Sequence, residues 1–196
     1  MTNKNQDADV RNSFGGKWKD HECFMWEMRN GIHLENRHFV DMYTLVASQI
    51  CEVVNPRDFT DLGGGVGAYS RAMKHRGIHT TYYDANIHHL EYANQHNVAD
   101  RYYFADFTQQ QVEGDLVACI EVMEHIEDSD LEPFLKRLRC NFFHFSSTPH
   151  TSDMDADWGH INIKPENEWI ELFESCGFKL QQKLNYPTQW SLLFSK

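Results

Sequence analysis

Apolar positions along this chain fall into two alternating rhythms, a helical spacing and a short continuous run, and the runs in the middle of the chain each end on an acid. Over residues 35–54, Phe39, Val40, Tyr43, Val46, Ala47, Ile50 and Val54 recur every three or four positions and Pro56 closes the segment, which predicts an amphipathic helix. A strand over 58–62 then enters a glycine-rich turn, and a helix over 66–76 stops at Gly77. The same order returns as a strand over 79–83 ending at Asp84, a helix over 87–95, a strand over 102–105 ending at Asp106 and a strand over 116–120 ending at Glu121. Ser129 or Asp130 caps a helix through Arg139, with Pro133 in its first turn, and a strand over 142–145 follows. Pro165 opens a helix with the stripe Trp169, Ile170, Phe173 and Cys176, ended by Gly177. Runs over 178–185 and 189–194 predict an antiparallel hairpin. At the other end, an aromatic stretch over 18–29 predicts a helix packed on the body, after an adaptable lead over 1–15.

Strands alternating with helices predict a doubly wound α/β fold, a mostly parallel seven-stranded sheet with an antiparallel C-terminal strand. Ligands in such sheets bind outside the carboxyl ends of the strands. Asp61, Asp84, Asp106 and Glu121 all fall at that edge. The expected organisation is one domain, with residues 1–54 as a helical lid and substrate segment and 55–196 as the core.

Composition narrows the function classes. With 196 residues, 41% of them hydrophobic, the chain can bury a substantial core, and it holds no apolar run near the roughly 20 residues of a membrane span. Residues 1–9 are polar and unlike a secretory leader, so the expected location is cytoplasmic. The five cysteines are scattered with no Cys-x-x-Cys pair, which argues against a disulfide framework and a thiolate zinc site. A net charge of −11 makes nucleic acid an unfavoured partner, since phosphate backbones are held mainly by Lys and Arg.

The turn itself carries chemistry. Glycines at 63, 64, 65 and 67 let backbone N–H groups approach a ligand, and the next helix offers its positive end. Gly63-x-Gly65-x-x-Ala68 also fits a dinucleotide fingerprint, with Asp84 where a ribose-binding acid belongs. Two observations weigh against that alternative: there is room for one mononucleotide-binding half only, and Asp61 and Asp106-Phe107 have no duty in it. A carboxylate at 61 suits a cationic ligand better than a bare pyrophosphate.

From this loop to the hairpin, about residues 55–196, the sequence resembles the class I S-adenosylmethionine-dependent methyltransferases. The resemblance implies S-adenosyl-L-methionine as cofactor and S-adenosyl-L-homocysteine as product. It also implies roles. Asp61 and the backbone at Gly63, Gly64, Gly65 and Gly67 hold the methionine end, Asp84 with Ala85 binds the ribose, Asp106 accepts from the adenine amino group beside Phe107, and Ile120 and Glu121 lie along the methionine.

The segment Glu121-Val122-Met123-Glu124-His125-Ile126 resembles the Glu-x-x-Glu-His stretch of quinone-biosynthesis O-methyltransferases, the group nearest in motif, and that of small-RNA 2′-O-methyltransferases. The first similarity implies His125 or Glu124 as the base. The second implies a divalent ion on Glu121, Glu124, His125 and a later histidine, for which His160 is the best placed. Metal-independent chemistry is the favoured expectation, with His160 as a further base. His150 and His144 are weaker candidates, and His144, inside a strand, reads as a core residue. Substrate choice is expected to sit in the first forty residues (Trp18, Phe24, Trp26, His38) and in the loop over 148–164, whose Asp153, Asp155, Asp157 and Trp158 form an acidic rim. That rim favours a neutral or cationic small-molecule acceptor. The expected activity is methyl transfer to an oxygen or nitrogen of such an acceptor; the alternatives are a catalytically silent cofactor-binding subunit and a metal-dependent RNA methyltransferase.

Overall fold

The structure, a computed structural model, describes residues 21–148, 159–188 and 190–196. Trp18, His150, Asp153, Asp155, Asp157 and Trp158 lie outside the described residues, as do the lead over 1–15 and Gln189. The first elements are helices α1 (His21–Arg29) and α2 (Arg37–Val54). The core follows as β1 (Asp58–Leu62), α3 (Ala68–His75), β2 (His79–Asp84), α4 (Ile87–Gln95), β3 (Arg101–Phe104) and β4 (Glu113–Ile120). It closes with α5 (Asp128–Arg137), β5 (Arg139–Ser146), α6 (Glu166–Ser175), β6 (Lys179–Leu184) and β7 (Ser191–Ser195). One seven-stranded sheet has the order β3-β2-β1-β4-β5-β7-β6. Strands β1 to β5 pair in parallel, and β7 runs antiparallel to both β5 and β6. This is the expected doubly wound architecture.

The period-two alternation of the strands separates two cores. In β4, Val117 and Cys119 face α5 and α6 with Leu131, Phe134, Trp169 and Phe173, whereas Leu116 and Ala118 face α2 and α3 with Val46, Ile50, Tyr69 and Met73. Helix α2 is therefore sheet-packed, and it brings its N-terminal half over the strand ends. Asn36 caps it by accepting from the His38 N–H at 3.1 Å, and Asn55 ends it in a left-handed conformation.

Several expected boundaries shift. Strand β4 begins at Glu113, not 116, because polar residues extend the ladder (Glu113 with Arg139, Gly114 with Cys140) where no apolar run marks it. The helix expected from Ser129 or Asp130 begins at Asp128 after Glu127, with no side-chain cap. Pro133 is then its sixth residue, one turn deeper than expected, and the helix gives up one backbone bond there.

Candidate functional site

Strand β1 and helix α3 are separated by a glycine turn whose members do different work. Gly63 and Gly64 both donate to the Tyr83 carbonyl, at 2.9 and 3.1 Å, which lays the turn across the end of β2. A Cβ on Gly63 would fall 2.5 Å from Val122, one on Gly64 would fall 2.4 Å from the Tyr82 ring, and one on Gly67 would fall 2.5 Å from Val98. Those three are packing requirements. Gly63, Gly65 and Gly67 all have left-handed φ, but of the four only Gly65, at 55°, has no atom within 4 Å of its missing Cβ, so its backbone borders open space.

That space is a cavity of about 400 Å³, within the size range of small-molecule sites. Asp61, Gly63, Gly64, Gly65, Asp84, Ala85, Phe107, Ile120, Glu121, Glu124, His125 and His160 all line it. Gly67 and Asp106 do not. Gly67 starts α3 at φ 80°, and Asp106 turns its Oδ1 to the N–H and hydroxyl of Thr108, at 2.9 and 2.6 Å, capping a short 3-10 turn over 107–109. At these two positions, both expected to contact the cofactor, the structure shows a helix start and a turn cap.

Asp84 is the hub of the first half. Its Oδ2 accepts from the Gly65 N–H at 2.9 Å and the Tyr82 hydroxyl at 3.2 Å, and its Oδ1 accepts from the Asn86 N–H at 2.7 Å. An ionised carboxylate has about four acceptor sites, so capacity for a hydroxyl remains. Asp61 is buried and accepts from the Ser70 hydroxyl at 2.6 Å. Burial, opposed by the Ser70 hydrogen bonds and reinforced by the charge of Asp84, raises its pKa to about 6. A buried carboxylate held this high gains from a cation placed beside it. An aminoacyl ammonium supplies that, and the residues present fit the methionine end of the expected cofactor.

The second half gathers after β4. Glu121 has a left-handed φ of 54°, unusual for a side chain with a Cβ, and accepts from Ser146 and Thr148 hydroxyls at 2.9 and 3.1 Å. Glu124 is fully buried, with Ser147 and Thr148 hydroxyls at 3.0 and 3.3 Å. Burial and the neighbouring Glu121 push its pKa well up, which favours the protonated form. Its backbone carbonyl accepts from the Ile161 and Asn162 N–H groups, at 2.8 and 2.9 Å, and so fixes the chain just beyond His160. His125 bonds the Gly159 carbonyl through Nδ1 at 3.1 Å. A carbonyl only accepts, which places the proton on Nδ1 and leaves Nε2 as the basic nitrogen. Burial, helped by His160, lowers the His125 pKa to about 4, so the ring is neutral at pH 7. The His125 and His160 rings meet edge-on at 4.8 Å. One ligand atom each from Glu124, His125 and His160 lie within 4.8 Å of one another, close enough to share an ion; the Glu121 carboxylate is outside that group.

The lid residues differ from expectation. Phe24 packs on the His88, His89 and Tyr92 rings, Trp26 is 40% exposed, and His38 points out of α2. The wall is made instead by Cys23, Glu27, Ile32, Phe39, Met42 and Tyr43, together with Pro187 and Thr188. In sequence Phe39 and Tyr43 read as the apolar stripe of a core helix and Pro187 and Thr188 as a hairpin turn, and Cys23, Glu27, Ile32 and Met42 carry no site signal of their own. His144 is the expected core residue, buried between the Tyr69 and Ser191 hydroxyls at 3.0 and 2.9 Å.

Comparison with known proteins gives the same picture. The sequence model of a methyltransferase domain family matches residues 44–183, and the family is a general one that does not single out the quinone-biosynthesis group. No curated protein matches by sequence. Among solved structures, magnesium protoporphyrin IX methyltransferase from Synechocystis PCC 6803 with bound S-adenosylmethionine superposes with a TM-score of 0.65 at 13% identity, covering 100% of this chain and 99% of that one. The methyltransferase domain of a bacterial Hen1 gives 0.60 at 19% identity over 80% and 98% of the two chains. A Haloferax volcanii complex of the Trm112 methyltransferase activator with a methyltransferase gives 0.65 at 14% identity over 91% and 95%. Among the described residues, no helix is long and apolar enough to cross a membrane.

Proposed function

The chain belongs to the class I S-adenosyl-L-methionine-dependent methyltransferases, and on that premise we propose that the strand-end cavity methylates an oxygen or nitrogen of a neutral or cationic small molecule. The observation that carries this reading is the continuity of one cavity from Asp84 to the His125 and His160 pair. In it, Asp84 takes the ribose hydroxyls, the Gly65 backbone and Asp61 take the aminoacyl end, and Ala85 and Phe107 flank the base. When bound, the cofactor supplies an electrophilic methyl on a sulfonium.

The protein contributes position, a proton acceptor and a choice of substrate. His125 Nε2 receives the proton of the acceptor, and Gly159 stabilises the ring by keeping Nδ1 as a donor. Burial and Glu121 bias the Glu124 side chain toward its protonated form, which makes it a poor base, while its backbone carbonyl holds the loop around His160. Among the described residues no Lys or Arg lines the cavity, while Glu27, Asp61, Asp84, Glu121 and Glu124 do. A phosphate or carboxylate on the acceptor would meet repulsion from the remaining acids, since the cation of His89 is already paired with Glu27. The aromatic and apolar wall of Phe39, Met42 and Tyr43 suits an uncharged ring or chain.

A second reading has its own observation. The Glu124, His125 and His160 cluster could hold a divalent ion that acidifies an acceptor hydroxyl, and a bacterial Hen1 domain is among the similar folds. Turnover of S-adenosylmethionine against pooled acceptors, with and without chelator, separates the two. Chelator-insensitive turnover on small molecules supports the first reading, and turnover that needs added metal supports the second. Tight binding with no turnover on any acceptor would leave a silent cofactor-binding subunit.

A further inference from the structure

Helix α1 roofs the cavity through Cys23 and Glu27, yet none of its residues is buried. One of its polar attachments is a buried histidine. Glu27 Oε2 lies 2.5 Å from His89 Nε2, and the other ring nitrogen, Nδ1, lies 3.8 Å from Asp84 Oδ2. His89 is 7% exposed, and Phe24 of α1 packs edge-on against its ring at 5.6 Å. Burial alone would lower the pKa of this imidazole, but Glu27 first and then Asp84 outweigh it and hold it at about 10. His89 is therefore a cation, with Nε2–H donating to Glu27 and Nδ1 at ion-pair distance from Asp84, set between an acid of the roof and an acid of the cavity floor.

We propose that His89 is a positioning residue that holds the Asp84 carboxylate for the ribose hydroxyls and, through Glu27, clamps α1 over the bound cofactor. The proposal rests on the assignment of Asp84 to the ribose. An element with no buried side chain opens at low cost, and a buried ion pair raises that cost, so the Glu27–His89 pair favours the closed α1. Coupling between two contacts on one residue is reciprocal. Occupation of Asp84 stabilises the closed α1, and loss of the α1 contact weakens the hold on the cofactor.

The test uses the full chain with S-adenosylhomocysteine, calorimetric titration and amide hydrogen exchange. In the wild type the ligand is expected to slow exchange across α1. Glu27→Gln, a change at a partly exposed side chain that leaves the core intact, should weaken binding on the order of tenfold, within the usual span of coupled sites, and abolish that protection. Glu27→Asp, which keeps the charge, should recover part of both, a rescue that a merely packing role would not give. His89→Gln, which also loses the Asp84 contact, should weaken binding at least as much as Glu27→Gln, and adding Glu27→Gln to it should change little further, since Glu27 acts through His89. Wild-type affinity and α1 protection in Glu27→Gln would overturn the proposal. Failure of the wild type itself to bind would overturn the cofactor reading beneath it, a result distinguishable from the first.

Discussion

Asp61→Asn separates what the site needs from what the fold needs. The carboxylate sits in the interior with one hydrogen bond from Ser70 at 2.6 Å, and burial with the nearby charge of Asp84 lifts its pKa from 3.8 to about 6. For an acid raised in the folded state, the native protein holds its proton more tightly than the unfolded chain. Stability therefore falls as pH rises from about 4 to 6 and stays lowered above that. At about 1.4 kcal/mol per unit, the shift corresponds to roughly 3 kcal/mol at neutral pH. Asparagine keeps an oxygen for Ser70 and removes the charge, so the ligand-free variant should melt higher than the wild type at pH 7, and this gain should vanish near pH 4. Binding moves the other way. Loss of a charge-assisted contact to an ammonium costs about 1.5–3 kcal/mol, or roughly 10- to 150-fold in affinity for S-adenosylhomocysteine. In the wild type, affinity should be flat above pH 7 and weaken about tenfold by pH 5 as Asp61 takes up its proton. Calorimetric titration from pH 5 to 8, with thermal melts of both proteins, reads every term. Unchanged affinity in Asp61→Asn, or a wild-type affinity flat from pH 5 to 7, would refute the assignment of Asp61 to the cationic end of the ligand.

Three further outcomes follow from the same geometry. Gly65→Ala places a Cβ in open space at φ 55° and should cost only about 1–2 kcal/mol in a denaturant melt while sharply weakening cofactor binding, whereas Gly67→Ala, 2.5 Å from Val98 at φ 80°, should lose more stability than Gly65→Ala in the same melt. His125→Ala should slow methylation by about 10²–10⁴-fold with cofactor affinity unchanged. Because its pKa is lowered to about 4, the wild-type rate should carry its acid limb near pH 4, not near 6.5, when measured at saturating cofactor. Glu124→Gln, which mimics the protonated acid, should retain most of the rate in the metal-independent case, and a collapse of turnover restored by excess manganese would favour the metal-assisted one.

Much of this fold is legible in the sequence because its central strands β1, β4, β5 and β7 have consecutive buried positions and therefore read as apolar runs between turn signals. Strand β4 shows where that reading ends: its first residues, Glu113 and Gly114, pair through their backbones and carry no apolar mark. The site is legible where chemistry and position coincide, as at Asp61, Asp84 and the Glu124-His125 pair. It is not legible where one residue type serves two ends. Gly65 and Gly67 are alike in sequence, and only the Val98 side chain behind Gly67 distinguishes a packing glycine from one facing a ligand. Asp106 is an acid at a strand end like Asp84, but a threonine two residues later captures its Oδ1. His89 and Glu27 lie 62 positions apart, and no local pattern announces that the fold will press them together.

The central claim is that one cavity at the strand ends holds the cofactor with Asp84 on its ribose and His125 on the side of the sulfur. A crystal structure of the protein with S-adenosylhomocysteine tests it most directly. The account predicts both ribose hydroxyls within hydrogen-bond distance of Asp84, the base between Ala85 and Phe107, the amino group beside Asp61 and the sulfur open toward His125. A ligand bound elsewhere, or one in this cavity with its ribose away from Asp84, would contradict it.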